Sequence, residues 1–301
     1  MKVGEISQDE LGSLLKSTQG VTLWVGPFKV NIKTKNSYFP PFLHKLYPEF
    51  SVLDFPSISD FHISLNAPLT LRRFIRPQVV FRENGRKLFE PFPLDMGGPL
   101  FEWGWNWCIG TRAHQYLILH SAVIEKNGIA IIMPAYPGSG KSTLCSALML
   151  SGWRLLSDEF GLVRSDGEVD PLPRPIPLKN QSIEVIRAFS PQAVIGPLFP
   201  KTRKGTVAHL APTKMSAARM KQPATPRYII FPKFNNNAAA VLKPLKPSYA
   251  LMKLATNAFN YEVLGAEGFK RVARLIRRCQ YYNFTYGKLE EALPLFESLV
   301  S

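Results

Sequence analysis

The chain has 301 residues, of which 46% are hydrophobic and 12% aromatic, so its composition is that of a folded protein with ample material for a core and excludes disorder. Its formal net charge of +15 suits either a surface for nucleic acid or anionic lipid, or a protein that handles phosphorylated and acidic molecules. The positive residues cluster in residues 201–221 and 271–278 and form no long stripe, so nucleic acid is the less favoured partner.

The three cysteines, Cys108, Cys145 and Cys279, are widely spaced and odd in number, which fits neither a disulfide framework nor a zinc pattern. No apolar run is long enough to span a membrane as a helix, and the N-terminus has no apolar segment typical of a secretory signal. We therefore expect a cytoplasmic protein without a membrane span.

Residues 1–110 contain short alternating apolar segments separated by proline and turn residues. Strands are predicted over residues 21–25, 28–32, 61–65 and 78–82. The Gly26-Pro27 pair and the favoured Asn84-Gly85 pair predict hairpin turns. Because dense clusters of His, Asp or Glu are missing from its sequence, we interpret this part as a β-rich accessory domain.

Residues 111–301 have a different pattern, which predicts an α/β domain. Strands are predicted over residues 116–124, 129–133, 154–157, 160–164, 227–231 and 281–286, and helices over 142–151, 265–279 and from 288 onwards. The segment 129–133 is nearly all apolar, as expected of a strand buried on both faces. The proline-rich stretch 171–179 cannot form a regular helix. The order strand, loop, helix, strand is that of an α/β core.

The loop over residues 135–143, with the sequence AYPGSGKST, has the pattern of a Walker-type phosphate loop except for Ala135 at its first position. Two glycines permit the unusual backbone angles that let N–H groups converge on an anion, Lys141 is placed to reach the terminal phosphates, and Ser142 supplies a hydroxyl for Mg²⁺. A fortuitous glycine-serine turn is the alternative. The residues predicted to bind ATP are Gly138, Ser139, Gly140, Lys141, Ser142 and Thr143.

Asp158 and Glu159 follow the next predicted strand, at the sheet edge where α/β proteins bind ligands. A carboxylate there can act on Mg²⁺ or take the proton of a hydroxyl during phosphoryl transfer. One of the two is expected to face the phosphates and the other a metal or water; solvated charges at a strand end are the alternative. His120 ends an apolar run, and packing or catalysis can explain such a histidine.

This ordered set of residues resembles the kinase core of the bacterial HPr kinase/phosphorylase family. His120 lies fifteen residues before Ala135, the loop matches Gly-x-x-Gly-x-Gly-Lys-Ser apart from Ala135, and residues 152–159 follow Gly-x-Arg-Leu-x-x-Asp-Asp apart from Glu159. The match covers about 45 residues, from His120 to Val163. Other segments, such as residues 174–179 and 204–210, are more similar to HPr-kinase-related proteins of unknown substrate. The family's second long signature is not found.

The resemblance implies a P-loop kinase core like that of HPr kinase and phosphoenolpyruvate carboxykinase, in the domain 111–301. It implies that Asp158 is the general base, that Lys141 and Ser142 hold phosphate and Mg²⁺, and that His120 lies near the transferred phosphate. Glu159 stands at the metal-side position. A cation must also stabilise the transferring phosphate, and the sequence offers four candidates. The alternative for each of them is a solvated cation in a loop. The candidates are Arg174, Lys179, Arg203 and Lys204.

These features predict an ATP- and Mg²⁺-dependent kinase whose acceptor is a hydroxyl, most simply a serine of a protein or peptide. A small-molecule kinase acting on an amino acid or sugar is a second hypothesis. A non-catalytic nucleotide-binding regulatory module is the third. A homo-oligomer is compatible with the resemblance, and the acceptor itself is not specified by the sequence.

Overall fold

In the computed structural model of the chain, residues 1–53 and 58–300 are described, and they form three sheets flanked by helices. The strands of these residues are β1 (Val21–Val25), β2 (Phe28–Thr34), β3 (Val52–Leu53), β4 (Phe61–Asn66), β5 (Gln78–Glu83), β6 (Arg86–Lys87), β7 (Phe92–Pro93), β8 (Leu117–Lys126), β9 (Ile129–Pro134), β10 (Arg154–Ser157), β11 (Phe160–Val163), β12 (Val169–Asp170), β13 (Ile176–Lys179), β14 (Phe199–Thr202), β15 (Gly205–Leu210), β16 (Thr225–Phe234), β17 (Val241–Pro244) and β18 (Gln280–Tyr286). The α-helices are α1 (Gln8–Lys16), α2 (Phe39–Leu46), α3 (Gly97–Arg112), α4 (Lys141–Leu150), α5 (Gln181–Phe189), α6 (Lys214–Ala218), α7 (Pro247–Thr256), α8 (Tyr261–Leu264), α9 (Ala266–Arg278) and α10 (Leu289–Ser298). Short 3₁₀ helices span Val3–Glu5, Leu71–Arg73 and Leu94–Met96.

The first sheet belongs to the N-terminal part and has the order β3-β1-β2-β4-β5-β6, with β7 on β5. Only β2 and β4 pair in parallel among its described strands. Both predicted hairpins are confirmed: β1 pairs with β2, and β5 pairs with β6 through Asn84 and Gly85. These two residues have φ of 48° and 78°, as the favoured two-residue hairpin turn requires.

Helix α3, which the sequence does not predict, packs on the first sheet. Gly104 makes this packing possible, because a Cβ atom there would clash with the ring of Phe81 on β5. The N-terminal part therefore combines its sheet with three α-helices, α1, α2 and α3. Helix α3 also runs across residue 110, the predicted domain boundary.

The second sheet has the order β12-β11-β8-β9-β16-β18-β17, with β10 also on β8. Strands β9, β16 and β18 are parallel, and their neighbours are antiparallel. Alternate residues of the sheet face two different cores, one formed with α4, α5 and α10 and the other with α7 and α9. The described chain is thus a mixed α/β protein, as the sequence predicts, and its central strands are buried on both faces.

Strands β10 and β11 lie consecutively along the same side of β8. Ser157 pairs with Val123 and Phe160 pairs with His120, so the two residues between these strands lie beside the middle of β8. Strand β9 lies on the other side of β8 and ends opposite Ser121. The register therefore brings the end of β10, the start of β11 and the loop after β9 together at the carboxyl end of β9. The predicted site lies at this edge of the sheet.

The third sheet, with the order β13-β15-β14, is antiparallel, and its strands follow β12 in the chain. It contains the end of the proline-rich stretch, which forms strand β13 and no helix, as predicted. Among the described residues, no helix combines the length and the apolar character needed to cross a membrane.

The N-terminal and C-terminal parts share one hydrophobic cluster. Residues of the first sheet and of α2 and α3 pack in it together with Tyr116, Ile118, Phe160 and Leu162, which lie at or within β8 and β11. The helix α3 and the strands that carry the predicted site are therefore held by the same packed core.

Candidate active site

The loop between β9 and α4 has the backbone conformation that its glycines predict. Gly138 and Gly140 have φ of 85° and 83°, in the region that favours glycine. At Gly140 space is also limiting, because a Cβ atom would lie 2.5 Å from the hydroxyl of Tyr286. That hydroxyl donates a hydrogen bond of 2.9 Å to the Gly140 carbonyl, and Phe234 N–H donates one of 2.9 Å to the Ser139 carbonyl. Strands β16 and β18 thus fix the loop in front of α4.

The first residues of α4 connect this loop to the end of β10. Lys141 is buried, and its ammonium group donates a hydrogen bond of 2.7 Å to the Asp158 carbonyl. The hydroxyl of Ser142 donates a hydrogen bond of 2.8 Å to Asp158 Oδ2. Thr143 follows half-buried in the first turn of the helix. The structure therefore brings Asp158 to Lys141 and Ser142, although it lies 16 residues after Ser142 in the sequence.

Asp158 retains an unused acceptor. The residue is buried, and its Oδ1 atom has no hydrogen-bond partner among the described residues. Burial raises the pKa of this carboxyl, and nearby Lys141 and the hydrogen bond from Ser142 partly oppose that shift. The hydroxyl oxygen of Ser139, in the glycine loop, is likewise buried without a partner in the described chain. A buried oxygen without a partner costs free energy, so both atoms are candidates for an additional hydrogen bond.

His120 lies on β8 at the same edge. Its backbone N–H donates a hydrogen bond of 2.7 Å to the Asn257 carbonyl, and its ring centroid is 5.5 Å from that of Phe259. Burial lowers the pKa of His120 to about 4, and the positive charges of Lys141 and Lys179 contribute to the shift. At neutral pH this imidazole is uncharged, so it can hydrogen-bond a ligand but does not supply a cation.

Glu159 makes its contact with the N-terminal part. Its carboxylate accepts a hydrogen bond from the side-chain amide of Asn106 on α3. The amide oxygen of Asn106 in turn accepts a hydrogen bond from Arg174. The structure thus places Ser142 beside Asp158, whereas Glu159 is hydrogen-bonded to Asn106 of α3. Within the part of the chain that the structure describes, no three or more His, Cys, Asp or Glu side chains cluster as a metal site.

Arg174 belongs to a buried polar chain. Its guanidinium forms an ion pair of 2.6 Å with Glu102, whose other oxygen accepts a hydrogen bond of 2.6 Å from the hydroxyl of Tyr47. The guanidinium also lies over the ring of Trp105 at 4.5 Å. The charge of Arg174 is therefore already compensated by Glu102, which gives this cation a structural role. The sequence did not single out Tyr47, Glu102 or Asn106, because only the fold brings them together.

A cleft of about 1810 Å³ opens at this edge. Its lining includes His120, Asp158 and Glu159, as well as the three cations Lys179, Arg203 and Lys204. Lys179 is half-buried, and the other two side chains are exposed. None of the three forms an ion pair with a described residue. All four cations that the sequence offered therefore line the same cleft as the carboxylates, and of these four only Arg174 forms an ion pair with a described residue.

Comparison of the chain with protein-family models and with curated proteins gave no match. The resemblance to HPr kinase stays a prediction that rests on the motifs.

Proposed function

We propose that the protein is an ATP- and Mg²⁺-dependent phosphotransferase with a P-loop core like that of HPr kinase, which transfers the γ-phosphoryl group to a hydroxyl. The observation that carries the proposal is the convergence of Lys141, Ser142 and the buried Asp158 behind a glycine loop. Each of these side chains has the chemistry that one part of the reaction needs.

The residues present fit a nucleotide phosphate chain and a magnesium ion. The loop and the N-terminus of α4 present backbone N–H groups, which favour an anion. Mg²⁺ prefers oxygen ligands, and the Ser142 hydroxyl and the Glu159 carboxylate are the groups proposed to hold it. When bound, the ion would neutralise charge on the phosphates. Oδ1 of Asp158, which no described residue contacts by a hydrogen bond, is left for the acceptor hydroxyl.

Transfer requires a base, and Asp158 is the proposed one. The acceptor oxygen forms a bond to the γ-phosphorus, the bond from that phosphorus to the bridging oxygen of ADP breaks, and the hydroxyl proton passes to the carboxylate. Burial raises the pKa of Asp158, which makes its carboxylate a better proton acceptor than an exposed one. Lys179 is the best-placed cation for the transferring group, because it is half-buried and interacts electrostatically with both Asp158 and Glu159.

The test is incubation of the purified protein with γ-labelled ATP and a lysate, followed by identification of the labelled molecule. Asp158→Asn should abolish transfer and leave ATP binding intact, whereas Lys141→Ala should weaken ATP binding itself. Transfer that survives in Asp158→Asn would exclude Asp158 as the base. Unchanged ATP affinity in Lys141→Ala would refute the loop assignment. Tight ATP binding without any transfer would instead favour a regulatory nucleotide-binding module.

A further inference from the structure

One wall of the cleft carries positive side chains that form no ion pair with a described residue. The tip of the β14–β15 hairpin presents Lys201, Arg203 and Lys204 to the cleft, and Lys179 on β13 lies beside them. None of these four side chains has an ion-pair partner among the described residues. Burial lowers the pKa of Lys179, and the positive charge of Lys204 adds to that shift, so these two cations lie close enough to repel each other. Such a cluster favours an anionic ligand.

The hairpin tip is held in place. The amide group of Asn180, which follows β13, donates a hydrogen bond of 3.2 Å to the Lys204 carbonyl and accepts one of 3.0 Å from Thr206 N–H. Within the tip, the Thr202 hydroxyl donates a hydrogen bond of 2.7 Å to the Gly205 carbonyl. Because these hydrogen bonds fix the backbone of the tip, a ligand that binds there need not order the backbone, which lowers the entropic cost of binding.

Another part of the cleft lining is aromatic. Trp103 and Trp107 lie on α3, and they are 46% and 52% exposed. Both contact Phe89, with ring centroids 4.2 Å and 5.8 Å apart. Two half-exposed indoles supported by a third ring form the kind of surface that anchors an apolar side chain of a partner.

The size of the cleft favours a polypeptide over a small molecule as the acceptor. At about 1810 Å³ it exceeds the roughly 300–1,000 Å³ usual for small-molecule pockets. A single amino acid or sugar would contact neither the whole cationic tip nor the indoles in addition to Asp158. An extended segment of several residues can contact all three.

The charges of the cleft favour a polypeptide over a nucleic acid as the ligand. Besides Asp158 and Glu159, the carboxylate of Asp95 lines the cleft, and so does that of Glu90, which is paired with Lys87. A phosphate on every nucleotide would meet these groups, whereas a peptide can place acidic residues at the hairpin only.

We therefore infer that the cleft binds an extended acidic polypeptide segment as the phosphoryl acceptor. Its acidic residues contact Lys201, Arg203 and Lys204, an apolar residue packs on Trp103 and Trp107, and the acceptor hydroxyl lies at Asp158. This inference rests on the proposed function for the transfer step, while the recognition of an acidic segment can be measured without it.

Fluorescein-labelled twelve-residue peptides with a central serine, one phenylalanine and four glutamates are the first probe. We expect binding to the full chain, with about tenfold weaker affinity in the double variant Arg203→Glu/Lys204→Glu and a similar loss when added salt screens the charges. Lys270→Glu/Arg277→Glu, which reverses two exposed cations on α9, is the matched control and should bind normally. Replacing the peptide phenylalanine by alanine should also weaken binding.

Equal binding of a matched peptide with four lysines, or tighter binding of a twelve-nucleotide single-stranded RNA, would overturn the inference. The same peptides are then offered with γ-labelled ATP. Transfer to serine peptides without preference for acidic ones would contradict the inference and leave the proposed function standing. Hairpin-dependent binding of the acidic peptide without transfer to it would contradict its role as acceptor, and the absence of transfer to any molecule would refute the proposed function.

Discussion

Asn106, on helix α3 of the N-terminal part, donates a hydrogen bond to the carboxylate of Glu159, which lies 53 residues further along the chain. Glu159 adjoins the proposed base, so the N-terminal part contributes a side chain to the edge of the proposed site. The part that the sequence predicts to be an accessory domain therefore contacts the proposed site.

Asn106 is expected to orient Glu159 and not to contact a phosphate. Asn106→Ala should lower kcat for phosphoryl transfer by about tenfold to a hundredfold, because small displacements at a reacting centre are costly, and should leave KM for ATP unchanged. Asn106→Asp has nearly the same size but no amide donor, so it should lose activity too. Full activity in Asn106→Asp would reduce the role of Asn106 to packing. Gln115→Ala, at an exposed position nearby in the chain, is the control.

The Arg174–Glu102 ion pair should be important for folding. Both side chains are buried, so Glu102→Ala leaves an uncompensated guanidinium and should lower the free energy of unfolding by about 3–5 kcal/mol. Urea denaturation measures this change. Glu184→Ala removes an exposed partner of Arg187 and should cost no more than about 1 kcal/mol. Equal effects of the two substitutions would show that burial does not set the importance of this pair.

Gly140 of the predicted phosphate loop and Gly128 of the β8–β9 turn form a matched pair of glycines. Gly140→Ala forces a Cβ against the Tyr286 hydroxyl at a positive φ, so it should distort the loop and abolish detectable ATP binding in calorimetry. Gly128, in the β8–β9 turn, has a φ of 79°, but a Cβ atom added there would meet no described atom within 4 Å. Gly128→Ala should thus cost only about 1–2 kcal/mol of stability and leave ATP binding intact. Normal ATP binding in Gly140→Ala would refute the predicted role of the loop.

His120 predicts a pH dependence of stability. Its pKa is lowered from 6.5 to about 4 in the folded protein, so between these values the unfolded chain binds more protons. The contribution of this group to the free energy of unfolding should therefore be fully present above pH 6.5. It should be lost progressively as the pH drops towards 4. Buried His209, whose pKa is lowered too, acts in the same direction. Denaturation at several pH values should show a shallower fall in His120→Gln, and identical slopes would contradict the assignment.

Most of the structure that could be predicted from the sequence depends on residues that are close together in the chain. The Asn84-Gly85 turn has the predicted conformation, and Gly138 and Gly140 have the positive φ angles that the pattern of their loop requires. Strands β8 and β9 are near-continuous apolar runs because both of their faces are buried, and such runs are visible in the sequence.

Non-local packing explains what the sequence could not predict. Helix α3 contains glycines and three tryptophans with little separation into polar and apolar faces, and contacts with distant residues such as Phe81 stabilise it. The sequence offered Arg174 as one of four equivalent cations, and only the fold pairs it with Glu102. The contact between Asn106 and Glu159 depends on the same packing, so no sequence pattern indicates it.

The shared hydrophobic cluster has a consequence for how the molecule unfolds. Tyr116, Ile118 and Phe160 pack with the first sheet and also belong to, or adjoin, the strands that carry His120 and Asp158. Loss of the N-terminal sheet would therefore expose one side of the site, and the two parts are expected to melt in a single cooperative transition. A nucleotide that binds the loop would then protect amide hydrogens in β1 and β2 from exchange, far from any atom it touches.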